Sequence, residues 1–439
     1  MPDQKLQALF NERLQASAFA SRRWVIAFSG GLDSTVLLHL CAQAVPPQSL
    51  RAIHVDHGLQ DSSHQWATHC RAVCEALGVA CQVVAVKPVN ASEASARDAR
   101  YAVFESLIEA NDCLLMAHHA DDQAETLLFR LLRGAGVVGL SAMPVRRSLG
   151  AGELYRPLLD QPRSLLEQWA QQQGLVWVED PSNQREDYER NWLRHRILTP
   201  LCERWPNAAS RLAKTAAQLS DTAVLLEEYA ADELKRLGHG ADWLDLEQVG
   251  RLSQARLNNL LRYWVYTCCG HRLSARELES LNQDLLRAGA DRMPTLKVGP
   301  FILRRYRQRL YITPLHERVS DPLTLTTEEA SWKLKQGVLA MIPAQKAGIA
   351  SDEAVELRYR RDGDRLRPLG RGGSVSLKQL FQEAGVPPWQ RNSWPLLCRN
   401  DEIIAVPGIC ICEKAAVSPG LQPIWRPFGL SEGGGFDRL

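Results

Sequence analysis

The sequence predicts an α/β protein in three parts: an N-terminal doubly wound parallel sheet, a mainly helical middle domain and a small mixed α+β C-terminal domain. Three observations carry this. Short apolar runs alternate with helix-length segments over the first third of the chain, the mark of a parallel sheet covered by helices on both faces. A mostly helical pattern follows over 210–286. Beyond it, short strand-like runs surround one helical segment near 377–384.

The elements of the first part follow in order. An apolar, β-prone run (Trp24, Val25, Ile26, Ala27, Phe28) breaks at Ser29-Gly30-Gly31-Leu32-Asp33-Ser34, and a helical run follows over 35–44. Strands are expected over 50–55, 80–86 and 113–117, and helices over 63–77, over 92–109 and from about 121. Ligands of such sheets bind beyond the carboxyl ends of the strands. Three motifs fall there: SGGLDS at 29–34, HVDHGL at 54–59 and AHHADDQAET at 117–126. Their shared position argues for one site. Later, 295–313 reads as a β-hairpin carrying Arg304, Arg305, Arg307 and Arg309. The expected domains are 1–215 (catalytic), 216–318 (helical, ending in the hairpin), a linker over 319–349, 350–430 (C-terminal) and a flexible tail over 431–439.

With 439 residues the chain can hold two or three cores. It is 45% hydrophobic and 23% charged, with no apolar run approaching a membrane span and no signal-peptide core at its start. A cytoplasmic protein without a membrane partner is expected. Eleven cysteines contain no CxxC, so most read as small buried hydrophobes rather than zinc or iron–sulfur ligands. A net charge of +2 means that any nucleic-acid surface is local.

A strand, a glycine turn and a helix N-terminus make an anion cradle. Glycines admit phosphate oxygens close to the backbone, and the first helical amides point at them. Ser29 and Ser34 add hydroxyls to Gly30, Gly31 and Leu32. Asp33 cannot meet phosphate directly, so it points to a bridging Mg2+. The lysine of a Walker A loop and the third glycine of a dinucleotide fingerprint are both missing. In 118–126, Asp122 and Glu125 share a helix face and can hold an ammonium group or a metal. His118 lies one turn earlier, and a zinc site there is the weaker reading. Asp121 reads as a helix-terminal charge. Arg97 and Arg100 share a face with Glu93, where a surface ion pair is as good an account as function. Asn191, Arg194 and Arg196 can stabilise a phosphate.

The hexapeptide resembles the SGGxDS signature of the PP-loop ATP pyrophosphatases, whose sheet is of the adenine nucleotide α-hydrolase type. The resemblance narrows with VDHGL (55–59), Arg97 with Arg100-Tyr101, HHADDQAET (118–126), RGAGVVGLSAM (133–143), RPLL (156–159), EDPSN (179–183) and RNWLRHRI (190–197). In that order they resemble the tRNA(Ile)-lysidine synthetase family. RYRRDGDRLRPLGRGG…LKQLF (358–381) resembles that family's last domain, with 372–376 reading GGSVS where the family is often lysine-rich. The resemblance implies ATP and Mg2+ as cofactors, with isoleucine tRNA of CAU anticodon and free L-lysine as partners. It implies adenylation of the wobble cytidine at C2 with release of pyrophosphate. Attack by the lysine ε-amine then gives lysidine and AMP, changing codon recognition from AUG to AUA and identity from methionine to isoleucine. Ser29, Gly30, Gly31, Leu32, Asp33 and Ser34 would hold the nucleotide, with Asp33 on the metal. Asp122 and Glu125 would bind lysine. His118 or a carboxylate would take a proton. Arg97 and Arg194 would steady the phosphate or the adenylated base. Arg304, Arg305, Arg307, Arg358, Arg360 and Arg361 would grip tRNA. Without the resemblance, the charged hairpin reads as a protected sheet edge.

The alternative is another tRNA-modifying enzyme of the superfamily, such as a thiolase. That would need cysteines at the strand ends, whereas Cys41, Cys70, Cys74 and Cys81 fall within expected helices or a strand. A small-molecule amidotransferase would not need two arginine-bearing domains. A nucleotide sensor without catalysis would not need Asp33 beside the 118–126 cluster. The sequence leaves a homodimer open.

Overall fold

A computed structural model describes residues 2–15, 23–58, 63–87, 89–90, 92–181, 186, 188–240, 242–286, 293–315, 323–326, 331–345, 347–351 and 354–427. The chain divides into two compact units, Met1–Leu225 and Leu226–Leu439.

In the first unit the apolar run becomes β1 (Arg23–Ala27), buried at Trp24, Val25 and Ile26. It is joined by β2 (Leu50–Asp56), β3 (Ala80–Ala85), β4 (Asp112–Leu115), β5 (Arg146–Leu149) and β6 (Gly152–Tyr155). The order is β3-β2-β1-β4-β6-β5, parallel throughout except for β5 against β6. All four residues of β4 are buried, as a strand covered on both faces requires. The helices are α1 (Pro2–Gln15), α2 (Leu32–Ala44), α3 (Ser63–Ala76), α4 (Glu93–Leu107), α5 (Ala120–Leu132), α6 (Val137–Leu140), α7 (Arg163–Gln172), α8 (Glu189–Leu193), α9 (Thr199–Arg204) and the first part of α10 (Ala208–Arg236). One face of the sheet packs Phe10, Leu37 and Trp169 from α1, α2 and α7, and the other packs Phe104 and the adjoining Ile108 at the end of α4. The sheet is therefore doubly wound. The chain runs outward in opposite directions from β1 and β4, so the crevice between their carboxyl ends is the expected ligand site. At the opposite end of the strands, Arg51 (2.7 Å) and Arg23 (2.9 Å) hold the fully buried carboxylate of Asp112.

In the second unit, β7 (Trp243–Asp245), α11 (Leu246–Val249), α12 (Gln254–Cys269), α13 (Ala275–Ser280), β8 (Thr295–Val298), β9 (Phe301–Tyr306) and β10 (Arg309–Pro314) share a core that includes Leu260, Trp264, Leu281 and Leu303. The expected hairpin is β9–β10, but it belongs to an antiparallel sheet of order β7-β10-β9-β8. Next come β11 (Leu323–Thr326), β12 (Ser331–Leu334), β13 (Gly337–Ala344), β14 (Ala354–Arg358), β15 (Arg365–Leu366), β16 (Val375–Ser376), α14 (Leu377–Glu383), α15 (Pro388–Arg391), β17 (Leu396–Arg399), β18 (Glu402–Val406), β19 (Cys410–Ile411) and β20 (Gly420–Pro427). They form sheets of order β11-β14-β17-β18-β19, β12-β13-β20 and β15-β16. The helix expected near 377–384 is α14, with Ser376 accepting a hydrogen bond from the Gln379 amide as N-cap.

One expectation is corrected. The described residues within 319–349 are not a linker: β11 pairs with β14, and β13 pairs with β20 along its whole length. The alternation at Leu323 and Leu325 marks a strand whose partner lies some thirty residues on. The tail over 431–439 lies outside the described residues. Among the described residues no helix is long and apolar enough to cross a membrane.

Candidate active site

The loop after β1 is built as an anion cradle. Gly30 has φ +84°, and a Cβ there would stand 2.9 Å from Cys70 Sγ, so only glycine fits without strain. Gly31 is the N-cap of α2 and makes no side-chain cap, so the amides of Leu32, Asp33 and Ser34 keep no partner within the helix. Ser29 Oγ lies 3.0 Å from Ser34 Oγ, and Ser34 Oγ donates to the Gly31 carbonyl at 3.0 Å. Gly30→Ala is expected to cost roughly 1–3 kcal/mol in stability and to weaken ATP binding. Thermal melts with and without ATP check it; an unchanged ATP-induced shift would contradict the cradle.

Asp33 lies on the first turn of α2. Its Oδ1 is buried and accepts no hydrogen bond among the described residues, with Arg163 Nε 3.9 Å away. Mg2+ is commonly held by one or two carboxylates plus phosphate oxygens and water. An unsatisfied carboxylate oxygen beside a phosphate cradle fits that ion. Among the described residues no group of three or more His, Cys, Asp or Glu could hold a metal, so the zinc alternative at 118–126 has no cage there.

The loop after β4 brings the second motif alongside. His119 Nε2 lies 3.6 Å from Asp33 Oδ2 and 3.4 Å from Asp122 Oδ2, and Nδ1 lies 3.6 Å from Asp121. Burial alone would hold this imidazole neutral. Asp122, Asp33 and Asp121 overcome that and raise its pKa to about 9. The Asp122 amide also approaches Nδ1, at 3.4 Å. A protonated Nδ1 cannot accept that bond, and three carboxylates outweigh one long contact, so His119 is an imidazolium at neutral pH. For Asp122, burial favours the neutral form, but His119, His118, Arg190 and Arg194 hold the carboxyl well below the usual range. Asp121 accepts from the Arg163 amide at 2.9 Å, capping α7 rather than facing substrate.

Glu125 departs from the sequence-based expectation. Its side chain is only 1% exposed. Oε1 accepts from Arg194 Nε at 2.5 Å, and Oε2 accepts from Arg190 Nε at 2.9 Å and Arg194 Nη2 at 3.1 Å. A carboxylate so enclosed holds arginines in place and has no open face for a lysine ammonium. Asp122 also receives Arg190, at 3.2 Å, but keeps 14% of its side chain exposed. Arg196 is not brought in; it pairs with Glu186 at 2.9 Å.

His118 is likewise revised. Arg156 Nε donates to His118 Nδ1 at 3.1 Å. Burial, reinforced by Arg156, Arg190 and His119 against Asp122, lowers its pKa to about 3. The ring is neutral with its proton on Nε2, a donor and a poor proton acceptor. Arg156 also reaches the Tyr101 hydroxyl at 3.4 Å, while the Arg97 and Arg147 guanidinium groups lie 5.5 and 5.0 Å from the same ring's centroid. Arg97 thus sits in a cationic cluster around Tyr101, in which Arg156 is the member that meets His118. In HVDHGL, His54 is buried with Nδ1 2.9 Å from the Phe28 carbonyl, a structural role. His119, Arg156, Arg163 and Arg190 were not singled out from sequence. HHADD and RNWLR gave their neighbourhood but not which member turns inward.

Family models match three stretches: a PP-loop domain over 2–201, a TilS substrate binding domain over 244–311 and a TilS substrate C-terminal domain over 355–425. The tRNA(Ile)-lysidine synthase of Alkalilimnicola ehrlichii is 40% identical over 427 residues, covering 93% of this chain and 95% of its own length. That of Methylococcus capsulatus is 41% identical over 403 residues, covering 87% and 90%. That of Pseudomonas fluorescens is 41% identical over 425 residues, covering 93% and 94%. The chain belongs to the tRNA(Ile)-lysidine synthase family.

The family's two later domains carry the six arginines expected to grip tRNA, and the structure sorts them. Arg307 is exposed at the hairpin turn and donates to the Gln382 carbonyl at 2.9 Å. Arg361 is 57% exposed and pairs with Asp401 at 2.8 Å. Arg360 lies 3.7 Å from Asp362. Arg304 lies over Trp389. Arg305 donates to the Leu286 carbonyl at 2.8 Å, capping the end of a helical turn. Arg358 contradicts the expectation: its side chain is 8% exposed and forks onto both oxygens of Asp364, each at 2.9 Å. It braces the turn after β14.

Burial would raise the Asp364 carboxyl, but the Arg358 hydrogen bonds hold it below its ordinary value. A carboxyl depressed in the folded state adds stability above its unfolded pKa of about 3.9, lost as pH falls through the lower folded value. Arg358→Gln is therefore expected to destabilise the C-terminal domain by about 3 kcal/mol and to leave the salt dependence of RNA binding unchanged. Melts at pH 7 and below pH 4 test this: the parent should lose more stability on acidification than the variant.

Proposed function

We propose that the chain is an ATP-dependent ligase that converts the wobble cytidine of isoleucine tRNA to lysidine. The cytosine O2 attacks the α-phosphorus of ATP, and the bond to the bridging oxygen breaks with pyrophosphate leaving. The ε-nitrogen of free lysine then bonds to C2, sheds a proton, and the C2–O bond breaks with AMP leaving. The single observation that carries this reading is the contact of Asp33 with His119, which joins the phosphate loop to the acidic helix at the crevice between β1 and β4.

The residues divide the work. Ser29, Ser34 and the amides at the start of α2 hold the departing pyrophosphate. Asp33 would hold Mg2+, which supplies positive charge against the phosphates. Arg190 and Arg194, fixed by Glu125, aim guanidinium N–H groups at the same charge. Neutral His118 offers its Nε2 proton as a hydrogen bond. Asp122, ionised and partly exposed, is the contact for a lysine ammonium group. The target base must leave its stack to reach the crevice.

A thiolase is disfavoured by the thiols themselves. Cys70 stands beside the loop, but it is buried and its pKa is pushed up to about 12 by that burial. Cys81 and Cys113 lie near the starts of β3 and β4, away from the crevice.

Purified protein with ATP, lysine and tRNA provides the test. Isoleucine tRNA should yield lysidine, with pyrophosphate and AMP released one for one, and methionine tRNA should yield none. Pyrophosphate release without lysine incorporation would overturn the ligase assignment.

A further inference from the structure

Two sets of arginines stand at the crevice, and only one has its charge met. Arg190 and Arg194 face Glu125 and Asp122. Arg97, Arg147 and Arg156 gather around Tyr101 instead, and among the described residues no carboxylate pairs with any of them. Arg156 is 3% exposed. Its acceptors are all neutral: His118 Nδ1 at 3.1 Å, the Pro144 carbonyl at 2.7 Å and the Tyr101 hydroxyl at 3.4 Å. The guanidinium groups of Arg147 and Arg97 lie 5.0 and 5.5 Å from the Tyr101 ring centroid. Arg97 is exposed and Arg147 half-buried, so the cluster runs from His118 at the wall of the crevice out to solvent. Arg146, the preceding residue of the edge strand β5, is exposed as well.

The three charges are felt at one place. Burial would push the Tyr101 phenol up, but Arg156, Arg97 and Arg147 bring it below its ordinary value. A buried charge is normally paired, and like charges are not normally packed beside it. A buried guanidinium with neutral acceptors only, and two more alongside, is built to receive an anion from outside. ATP has its own cradle at 29–34. A lysine carboxylate carries a single charge and has no use for an arginine at the solvent end of the cluster. A strand with one base turned into the crevice brings a phosphodiester on each side of that base, and the guanidinium fork matches phosphate oxygens. We propose that Arg97, Arg147 and Arg156 form a subsite for a backbone phosphate of the RNA beside the target base. Arg147, which no motif marks, and Arg97 supply the accessible contacts, and Arg156 adds its buried charge behind them. This rests on the reading of the protein as a tRNA-modifying ligase. It adds a contact on the unit that holds the phosphate loop to those expected on the other.

The test uses the full chain and a labelled anticodon stem-loop with a CAU loop, followed by fluorescence anisotropy across a salt series without ATP or lysine. Arg147→Gln should weaken binding about fivefold and lower the salt slope by about 0.7, the share of one phosphate on a single strand. Arg97→Gln should act in the same direction. Arg147→Lys keeps the charge and should keep the slope. Stem-loops carrying one neutral methylphosphonate at each loop position in turn locate the contact. At one linkage beside the target cytidine the parent should lose the same affinity, and Arg147→Gln should lose nothing further. Arg147→Gln and Arg97→Gln binding the unmodified stem-loop within about twofold of the parent would overturn the subsite. So would a lysine KM raised by Arg147→Gln with stem-loop binding unchanged, which would give the cluster to the amino-acid carboxylate. If Arg97→Gln melts early, Arg147→Gln decides alone. A parent that made no lysidine but bound the stem-loop in this variant-sensitive way would sink the proposed reaction and keep the subsite; an active parent with insensitive binding would do the reverse.

Discussion

Asp33→Asn is expected to lower pyrophosphate release by about a thousandfold, the scale of losing one fixed electrostatic contact to a transition state. The change removes a charge and keeps the shape. In the parent, Oδ1 is buried and accepts no hydrogen bond among the described residues, with Arg163 Nε 3.9 Å away, so the folded chain holds a carboxylate oxygen that a bound cation would satisfy. The asparagine amide offers no equivalent. The melt should move little, because Asp33 is partly exposed and lies outside the hydrophobic core. RNA affinity should stay near that of the parent, since the expected tRNA contacts lie on the other unit. Quenched-flow measurement of pyrophosphate decides it, and near-parent release would remove Asp33 from the reaction. A second sign is expected at His119, whose positive charge depends in part on Asp33. Its imidazole should titrate lower in the variant, visible by NMR of the histidine ring.

How much of this was legible in sequence depends on how local each device is. SGGLDS could be read because a strand, a turn and a helix start occupy consecutive residues, and the geometry of Gly30 follows from that order. The sheet could be read from its alternation. What failed was pairing at a distance. Leu323 and Leu325 show the strand period, but nothing nearby names β14 as their partner. Arg358 and Arg361 look alike in an arginine-rich run. One is buried on Asp364 and the other exposed at Asp401, and only the folded turn separates brace from surface. Adjacent His118 and His119 diverge in the same way. Burial, reinforced by a guanidinium from the loop after β6, keeps the first neutral, and three carboxylates make the second cationic. Chemistry set by the second partner of a side chain is invisible until that partner is placed.

The same logic sets the contrast between Glu125 and Asp122. The sequence pairs them on one helix face and invites the same role for both. The structure separates them by enclosure: Glu125 carries Arg190 and Arg194 with 1% of its side chain exposed, while Asp122, which faces Arg190, Arg194 and His119, keeps 14% exposed. Glu125→Gln removes the charge that two half-buried guanidinium groups share. Breaking such a set typically costs about 3–5 kcal/mol, which for a domain of this size lowers the melting temperature on the order of 10 °C. With both arginines loosened, kcat at saturating lysine should fall about a hundredfold, as mispositioned transition-state contacts do, while the lysine KM stays near the parent value. Asp122→Asn should show the complementary pattern, with a raised lysine KM and accumulation of adenylated tRNA. The KM-against-kcat split separates the roles. If Glu125→Gln raises the lysine KM with melting temperature and kcat intact, the carboxylate is a substrate contact after all, and its grip on the two arginines must open when lysine binds.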